Sequence, residues 1–227
     1  VREDFVANVS HELKTPMTSL KGFIETLENG AIEDKSLALK FLNIMDIEVN
    51  RLNALIDDLL LLSEVENKEL GTTSELIYIE EVVDEVFEIL DKSAEDKGIS
   101  LIKEIVEIPP IVQGNYNYFK QMLINLIDNG IKYTPEGGYV KVWAKGEKGN
   151  LVIKILDNGV GMAEEEQDRI FERFYRVDKS RSRQIGGTGL GLAIVKHVIS
   201  IFNGSISIKS KPNLGTTFTI KIPISTI

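Results

Sequence analysis

The feature that most constrains the fold is a heptad pattern of apolar residues between residues 37 and 66. Apolar side chains recur there at alternating spacings of four and three, the pattern of a helix that packs along one seam. A similar pattern runs through residues 1–28 and ends at Asn29-Gly30, a typical helix stop. Two helices with apolar faces this broad cannot bury them alone, which predicts either a four-helix bundle with a second copy or packing on another domain. The second seam consists of Ala38, Leu42, Met45, Val49, Leu52, Ile56 and Leu59, with Leu55, Leu60 and Leu62 beside it.

One histidine of the first helix lies outside its seam. His11 is two positions from both Val9 and Leu13, which belong to the seam, so it faces away from the helix contact. Glu12 follows it directly, and Pro16, which lacks a backbone N–H, usually bends a helix at the preceding turn. A lone exposed histidine is most often an ordinary surface residue, but the adjacent carboxylate and the bend favour a chemical role. The seam of this helix is formed by Val9, Leu13, Met17, Leu20, Ile24 and Leu27.

Charge and composition exclude several classes of function. The net charge of −9 argues against nucleic-acid binding as the main activity, because phosphate backbones require a basic surface. The chain has no cysteine, which excludes disulfides, thiolate nucleophiles and cysteine metal sites. No run of about 18 apolar residues is present, so we expect no membrane span in this sequence.

The second part of the chain has the pattern of a separate domain. Residues 67–75 are polar and contain glycine, which predicts a linker between a helical hairpin at 1–66 and a domain at 76–227. In this domain, helical patterns are mixed with the alternating patterns of strands, which predicts an α/β sandwich with helices on one face of a mixed sheet. The helical patterns cover about 79–97, 117–133 and 190–202.

Two segments of this domain place polar groups where a nucleotide could bind. Asn125 and Asn129 are one turn apart on a predicted helix and Lys132 follows on nearly the same side, which suits polyphosphate and Mg²⁺. Asp157 ends an apolar strand and leads into Asn158-Gly159-Val160-Gly161, where glycine allows close backbone approach and the carboxylate can accept from an exocyclic amine. Each motif alone is weak, because amphipathic helices and turns often produce it.

A glycine run opens the last predicted helix. Gly186-Gly187-Thr188-Gly189-Leu190-Gly191-Leu192 leads directly into it, and free N–H groups at a helix start bind anions. The run is not a Rossmann fingerprint, because no βαβ unit precedes it, and not a Walker A loop, because the Lys-Ser/Thr ending is missing. Upstream, Phe171-Glu172-Arg173-Phe174-Tyr175-Arg176 offers aromatic packing residues and arginines that can pair with phosphate. The loop after it is basic through Lys179, Arg181 and Arg183.

The segment Ser10-His11-Glu12-Leu13-Lys14-Thr15-Pro16 resembles the H-box of two-component sensor histidine kinases. The later segments follow in the order of that family's ATP-binding motifs, so the resemblance covers essentially the whole chain. The stretch around the H-box is most similar to the phosphate-regulon sensor subgroup, and one departure is Gly130, where alanine is usual in the family. The resemblance implies an α+β fold, with a dimerising helical hairpin, a four-helix bundle in the dimer, followed by a GHKL-type α/β sandwich that binds ATP.

The resemblance also implies roles for individual residues. His11 would accept the γ-phosphoryl group of ATP, Glu12 would orient or deprotonate its ring, and Thr15 would orient water for dephosphorylation. Asn129 would bind Mg²⁺, and Asp157 would read the adenine amino group. The other nucleotide contacts are expected at Asn125, Lys132, Tyr133, Gly159, Gly161, Phe171, Arg176, Gly187, Thr188, Gly189, Leu190, Gly191 and Thr216.

The implied cofactors are ATP and Mg²⁺, and the implied partners are a second copy of the chain and the receiver domain of a response regulator, without nucleic acid. Because the sequence opens inside a helical pattern, we expect the cytoplasmic portion of a membrane-anchored protein whose N-terminal part holds the sensor. Two other classes remain open: a dimeric docking module that no longer uses ATP, and a GHKL-type ATPase, which needs no exposed His-Glu pair. The only other histidine, His197, is interpreted as structural.

Overall fold

The computed structural model describes residues 2–67, 74–107, 109–177 and 187–224. The chain divides into two compact units, Val1–Leu60 with Gly186–Thr188, and Leu61–Ile185 with Gly189–Ile227. Most of the linker predicted at 67–75, and the basic loop predicted at Lys179, Arg181 and Arg183, lie outside the described residues. No helix in the described part of the chain has the length and apolar character needed to cross a membrane.

The first unit is built from two long helices joined by a short turn, as predicted. Helix α1 spans Arg2–Glu28, a 3₁₀ turn follows at Ala31–Glu33, and helix α2 spans Lys35–Asn67. Gly30 has a φ of +112°, a left-handed conformation that glycine adopts without steric cost.

Helix α2 begins two residues earlier than the apolar pattern predicts, because Asp34 satisfies its first backbone donors. The Oδ1 atom of Asp34 accepts from the N–H of Ser36 at 2.9 Å and from the N–H of Leu37 at 3.1 Å. An aspartate immediately before a helix commonly makes these bonds, so the apolar pattern alone places the start of the helix too late in the chain.

Helix α2 uses one face to contact α1 and leaves alternate residues of its predicted seam exposed. The rings of Phe23 and Phe41 lie 5.3 Å apart across the hairpin, and Leu55 is only 5% exposed. By contrast Leu42 and Ile56, which belong to the seam, are 52% and 45% exposed. Part of the seam therefore stays on the surface of the single chain as an apolar stripe, while its other residues, Ala38, Met45, Leu52 and Leu59, are half-buried. Helix α1 continues through Pro16 without interruption.

The second unit contains two sheets and three long helices in its described residues. The long helices are α3 (Ile79–Asp96), α4 (Tyr116–Tyr133) and α6 (Gly191–Ile201), with a short helix α5 (Glu164–Gln167) and a 3₁₀ turn at Arg169–Phe171. The strands are β1 (Glu75–Ile77), β2 (Ser100–Ile105), β3 (Val112–Gly114), β4 (Tyr139–Glu147), β5 (Asn150–Asp157), β6 (Ser205–Lys211) and β7 (Gly215–Pro223).

The main sheet has five strands in the order β2-β4-β5-β7-β6, with β2 parallel to β4 and all other pairs antiparallel. Its registers bring Val142, Ile155 and Phe218 side by side on one face, and all three are buried. The neighbouring row, which includes Trp143 and Lys154, points to the opposite face, since successive side chains alternate along a strand. Helices α3, α4 and α6 pack against the buried face, which confirms the predicted α/β sandwich.

Helix α4 lies at the centre of this layer and positions most of the candidate site. Asn115 caps it by accepting from the N–H of Tyr118 at 3.1 Å. A Cβ on Gly130 would lie 2.9 Å from Val140 on β4, so the glycine lets this helix approach the sheet closely. The residues of α4 that form its buried face are Phe119, Met122, Leu123, Leu126, Ile127 and Ile131.

Candidate functional site

The predicted phosphoacceptor histidine is accessible in the structure. His11 lies exposed on α1, and its backbone carbonyl accepts from the Thr15 hydroxyl at 3.1 Å. Thr15 is therefore one turn from His11 on the same exposed face, as the spacing predicts. The ring of His11 is open to a phosphoryl donor.

Sequence reasoning missed the partner of Glu12. Arg51 on α2 lies with its guanidinium Nη2 3.7 Å from Glu12 Oε2, and the two side chains are only 18% and 25% exposed. This ion pair is more shielded than an ordinary surface pair, so it restrains the carboxylate beside His11. The α2 face toward α1 includes Glu48, Arg51 and Leu55, which are spaced as on one side of a helix. This spacing could have identified Arg51 once the contact between the two helices was known.

Asp157, at the end of β5, is held by two backbone donors. Its Oδ1 atom accepts from the N–H of Gly159 at 2.9 Å and from the N–H of Thr216 at 3.2 Å. Burial raises the pKa of the Asp157 carboxyl above its ordinary value, and these two hydrogen bonds oppose that rise. Among the described residues nothing donates to Oδ2, so the second oxygen is available to a ligand.

The segment after Asp157 runs so close to its neighbours that side chains are excluded. A Cβ on Gly159 would lie 2.5 Å from the carbonyl oxygen of Tyr133, at the end of α4. Gly161 has a φ of +61°, and a Cβ there would collide with the carbonyl of Lys211. These two glycines are therefore needed for the backbone path: Gly159 lets the segment approach the end of α4, and Gly161 lets it approach the end of β6.

Thr216 and Ser210 fix the opposite wall of this corner. Thr216 is 6% exposed, and its hydroxyl lies 3.0 Å from that of Ser210. Ser210 also accepts from the N–H of Met162 at 2.9 Å, which ties the segment after Gly161 to β6. Ser210 could not be located from the sequence, since a serine in a strand is most often a surface residue.

Helix α4 also contacts the glycine run at the start of α6. The Nδ2 atom of Asn125 donates to the carbonyl of Gly191 at 3.2 Å, so Asn125 joins two elements of the site. Asn129 lies one turn further along the same helix and is partly exposed. Lys132 forms an ion pair with Asp128 at 2.6 Å, so the structure places it on a protein carboxylate and its contact with nucleotide stays a prediction.

The segment that contains Phe174 and Arg176 packs on the same glycine run. The N–H of Phe174 donates to the carbonyl of Gly189 at 2.8 Å, and a Cβ on Gly189 would lie 3.3 Å from Nε of Arg176. Arg176 is thereby next to the start of α6. The ring of Phe171 instead contacts Phe218 of the core, with centroids 6.4 Å apart, so it is a packing residue in this structure.

The sequence predicts nucleotide contacts at four further residues. Leu190 is fully buried, and its predicted contact with nucleotide stays a prediction. Gly187 and Thr188 are grouped with the first unit, and their predicted contacts to nucleotide stay predictions. Tyr133 is 37% exposed at the end of α4, next to Thr134 and Gly159.

The chemistry of this corner fits an adenine nucleotide with Mg²⁺. Thr134 Oγ1 is buried and lacks a hydrogen-bond partner among the described residues. It and Asp157 Oδ1 lie 3.0 and 2.8 Å from the point where a Gly159 Cβ would be, so an unpaired hydroxyl and a carboxylate lie close together beside Gly159. The described residues contain no group of three or more His, Asp or Glu able to hold a metal ion. A single ligand such as Asn129 is compatible with Mg²⁺, because this ion is commonly bound by few protein ligands together with substrate phosphates, and the role of Asn129 stays a prediction.

Two family descriptions match the chain. "His Kinase A (phospho-acceptor) domain" matches residues 1–68, and "Histidine kinase-, DNA gyrase B-, and HSP90-like ATPase" matches residues 114–226. The first match contains His11 and the second contains every candidate residue from Asn125 to Thr216.

Individual proteins agree with these matches. The sensor histidine kinase WalK of Bacillus subtilis is 37% identical over 224 residues, which is 98% of this chain and 36% of WalK. The chain spans between about a third and just over half of the length of the curated relatives it matches first. Among solved structures, the Acinetobacter baumannii histidine kinase AdeS aligns with a TM-score of 0.76 and 30% identity over 95% of this chain and 98% of that chain.

A second solved structure supports the arrangement of elements. The histidine kinase ThkA, solved in complex with the response regulator protein TrrA, aligns with a TM-score of 0.79 over 98% of this chain and 61% of that chain. At 24% identity this likeness shows the fold. Together, the two family matches, the helical hairpin and the α/β sandwich confirm the family predicted from the motifs: the chain belongs to the sensor histidine kinases.

Proposed function

We propose that this chain is the kinase core that phosphorylates His11 from ATP-Mg²⁺ and passes the phosphoryl group to an aspartate on the receiver domain of a response regulator. The observation that carries this proposal is the exposed His11, with Glu12 beside it, in the same chain as the Asp157 corner. The alternative of a GHKL-type ATPase without phosphoacceptor does not account for that His-Glu pair.

The chemistry proceeds by direct transfer to a ring nitrogen. The free nitrogen of the neutral His11 imidazole attacks the γ-phosphorus, the bond to the bridging oxygen breaks, and ADP leaves with that electron pair. Glu12 accepts a hydrogen bond from the other ring nitrogen and stabilises the positive charge that develops on the ring. Asn129 would hold Mg²⁺, which would supply positive charge at the phosphates. Arg51 restrains Glu12 through its ion pair.

The nucleotide is proposed to bind between α4, the Asp157 corner and the start of α6. Asp157 Oδ2 accepts from the adenine amino group, and the backbone at Gly189 and Gly191 faces the phosphates, where N–H groups at a helix start favour anions. Arg176 is next to that run and can pair with phosphate through two parallel hydrogen bonds. Lys132, Tyr133, Gly187 and Thr188 complete the proposed set of contacts.

The partners follow from the hairpin and from one structural neighbour. The exposed apolar stripe that includes Leu42, Val49 and Ile56 supports a homodimer, because a four-helix bundle would bury it. The complex of ThkA with TrrA supports a receiver domain as the second partner.

We also propose that the chain dephosphorylates its regulator and that Thr15 orients the attacking water. Thr15→Ala is expected to leave phosphorylation of His11 within about twofold and to slow dephosphorylation of the regulator at least about tenfold, since one lost water contact is worth roughly 1.4 kcal/mol. The fold should not change, because the Thr15 hydroxyl is exposed and bonds only to a carbonyl of its own helix.

Thr18→Ala is the matched control for this prediction. Its hydroxyl makes the same kind of bond on α1, to the carbonyl of Lys14 at 2.9 Å, and is also exposed. Both rates are measured with a purified receiver domain, with label followed on each protein. Equal loss of both activities in Thr15→Ala, or the same pattern in Thr18→Ala, would refute the role of Thr15.

A further inference from the structure

The last turns of helix α2 belong to the core of the second unit. Residues from Leu61 onward group with that unit, and Leu62 and Val65 are 1% and 2% exposed. Leu60, one residue earlier, is 60% exposed. The end of α2 is therefore a fixed part of the unit that contains the candidate nucleotide site.

Glu66 lies in this segment and contacts two cationic or donor side chains at once. Its Oε1 atom is buried, forms an ion pair with Arg173 and lies 3.3 Å from Nε2 of His197. A carboxylate is rarely removed from water without such partners, because the loss of hydration is costly. Burial lowers the pKa of His197 more than the Glu66 charge raises it, so near neutral pH the ring beside the carboxylate is a neutral imidazole.

The two partners of Glu66 come from the elements on either side of the glycine run. Arg173 precedes Phe174, whose N–H donates to the carbonyl of Gly189 at 2.8 Å. His197 lies on α6, less than two turns after Gly191, where that helix begins. Glu66 thus joins the segment that packs on Gly189 to the helix that starts at Gly191.

Phe174 shows that this segment is held in a demanding conformation. Its φ is +63°, which is uncommon for a residue with a large side chain. A Cβ on Gly189 would lie 3.0 Å from the Cα of Phe174, so the two backbones are in close contact. Such a conformation persists only when neighbouring interactions fix it, and the Arg173 ion pair is the adjacent one.

We propose that Glu66 is a positioning residue for the nucleotide site: through Arg173 and His197 it fixes the Phe174 segment against α6 and so sets the backbone from Gly189 to Gly191. Glu66 itself does not contact the nucleotide. The inference rests on the proposed function, because it assigns the glycine run to ATP phosphates. His197, interpreted as structural from the sequence, then belongs to this positioning cluster.

The test compares the affinity for an ATP analogue with an imido group between the β and γ phosphates, measured by calorimetry with Mg²⁺ present. Glu66→Gln keeps the shape and removes the charge, and we expect its Kd to rise about tenfold, the effect of one charge-assisted hydrogen bond. Glu64→Gln is the matched control on the same turn of α2. Glu64 is exposed and accepts from the Tyr118 hydroxyl at 3.4 Å, so its Kd should change less than about twofold.

A double variant separates positioning from direct contact. If Arg173 acts through Glu66, then Glu66→Gln combined with Arg173→Gln binds no more weakly than Arg173→Gln alone. If Arg173 instead touches phosphate independently, the two effects multiply, which overturns the proposal. Arg173→Lys keeps the charge but loses the planar fork, and it should restore part of the affinity that Arg173→Gln loses.

Urea unfolding and amide hydrogen exchange complete the test. We expect the amides of Phe174 and Gly191 to exchange faster in Glu66→Gln than in the unaltered chain. The same amides should show no change in exchange rate in Glu64→Gln. A variant that loses stability but binds the analogue with unchanged Kd would assign Glu66 a purely structural role and overturn the inference. If Glu66→Gln does not fold, the comparison of Arg173→Lys with Arg173→Gln decides in the same way. Failure of the unaltered chain to bind the analogue would instead refute the proposed function.

Discussion

Asp157→Asn is expected to weaken ATP binding about 100-fold, because it turns an acceptor into a donor at the adenine amine. The Oδ1 atom of Asp157 already accepts from the N–H groups of Gly159 and Thr216, at 2.9 and 3.2 Å. An asparagine keeps both bonds only with its oxygen in that position, so its NH₂ takes the place of Oδ2. Two donors would then face each other. Calorimetric titration with ATP measures the loss.

Two controls make this prediction specific. GTP has a carbonyl oxygen where ATP has the amine, so Asp157→Asn should reduce the preference for ATP over GTP. The substitution should not weaken the fold at pH 7. Burial raises the folded pKa of Asp157 above its ordinary value, so the ionised carboxylate lowers the stability of the fold at every pH above that pKa. A neutral amide removes this cost. An unchanged Kd for ATP in a folded variant would remove Asp157 from the base-reading role.

Asn129→Asp is expected to lower phosphorylation of His11 at saturating ATP and Mg²⁺ at least about 100-fold, because it adds a negative charge beside the phosphates and alters the Mg²⁺ ligand. Asn129 is partly exposed on α4, so the fold tolerates the change. The rate is measured from labelled γ-phosphate under single-turnover conditions.

Asn117→Asp is the matched control, because it makes the same substitution at an exposed position in the first turn of the same helix. Its rate should stay within about twofold, since an acidic residue near a helix start is well tolerated. Undiminished turnover in Asn129→Asp, or an equal loss in Asn117→Asp, would count against Asn129 as the Mg²⁺ ligand.

The sequence predicted the elements and the order of the motifs because periodicity and glycine positions are local properties. The heptad seam of α2, the strand that ends at Asp157 and the glycine run before α6 each follow from neighbouring residues. The short strand β3 was missed, because three residues are too few for an alternating pattern. The heptad pattern located the apolar stripe of α2 correctly, but it does not specify which surface packs against that stripe.

Contacts between distant elements could not be predicted from these patterns. The bond from Asn125 to Gly191 joins residues 66 positions apart, and the Arg51–Glu12 pair joins two helices across the hairpin. Glu66 and His197 each look ordinary in sequence, because a glutamate near a helix end and a histidine in a largely apolar helix are both common. Their meaning comes only from the fold, which brings them within 3.3 Å of each other.

Incubation with γ-labelled ATP and Mg²⁺, comparing the unaltered chain with His11→Gln, tests the central claim most directly. The account predicts a label that is lost in acid and retained in base, as expected for a phosphorus–nitrogen bond, and that is absent from His11→Gln. That variant should still bind ATP, since His11 is not part of the Asp157 corner. A label of the same size in His11→Gln, or tight ATP binding with no label in the unaltered chain, would contradict the assignment of His11 as phosphoacceptor.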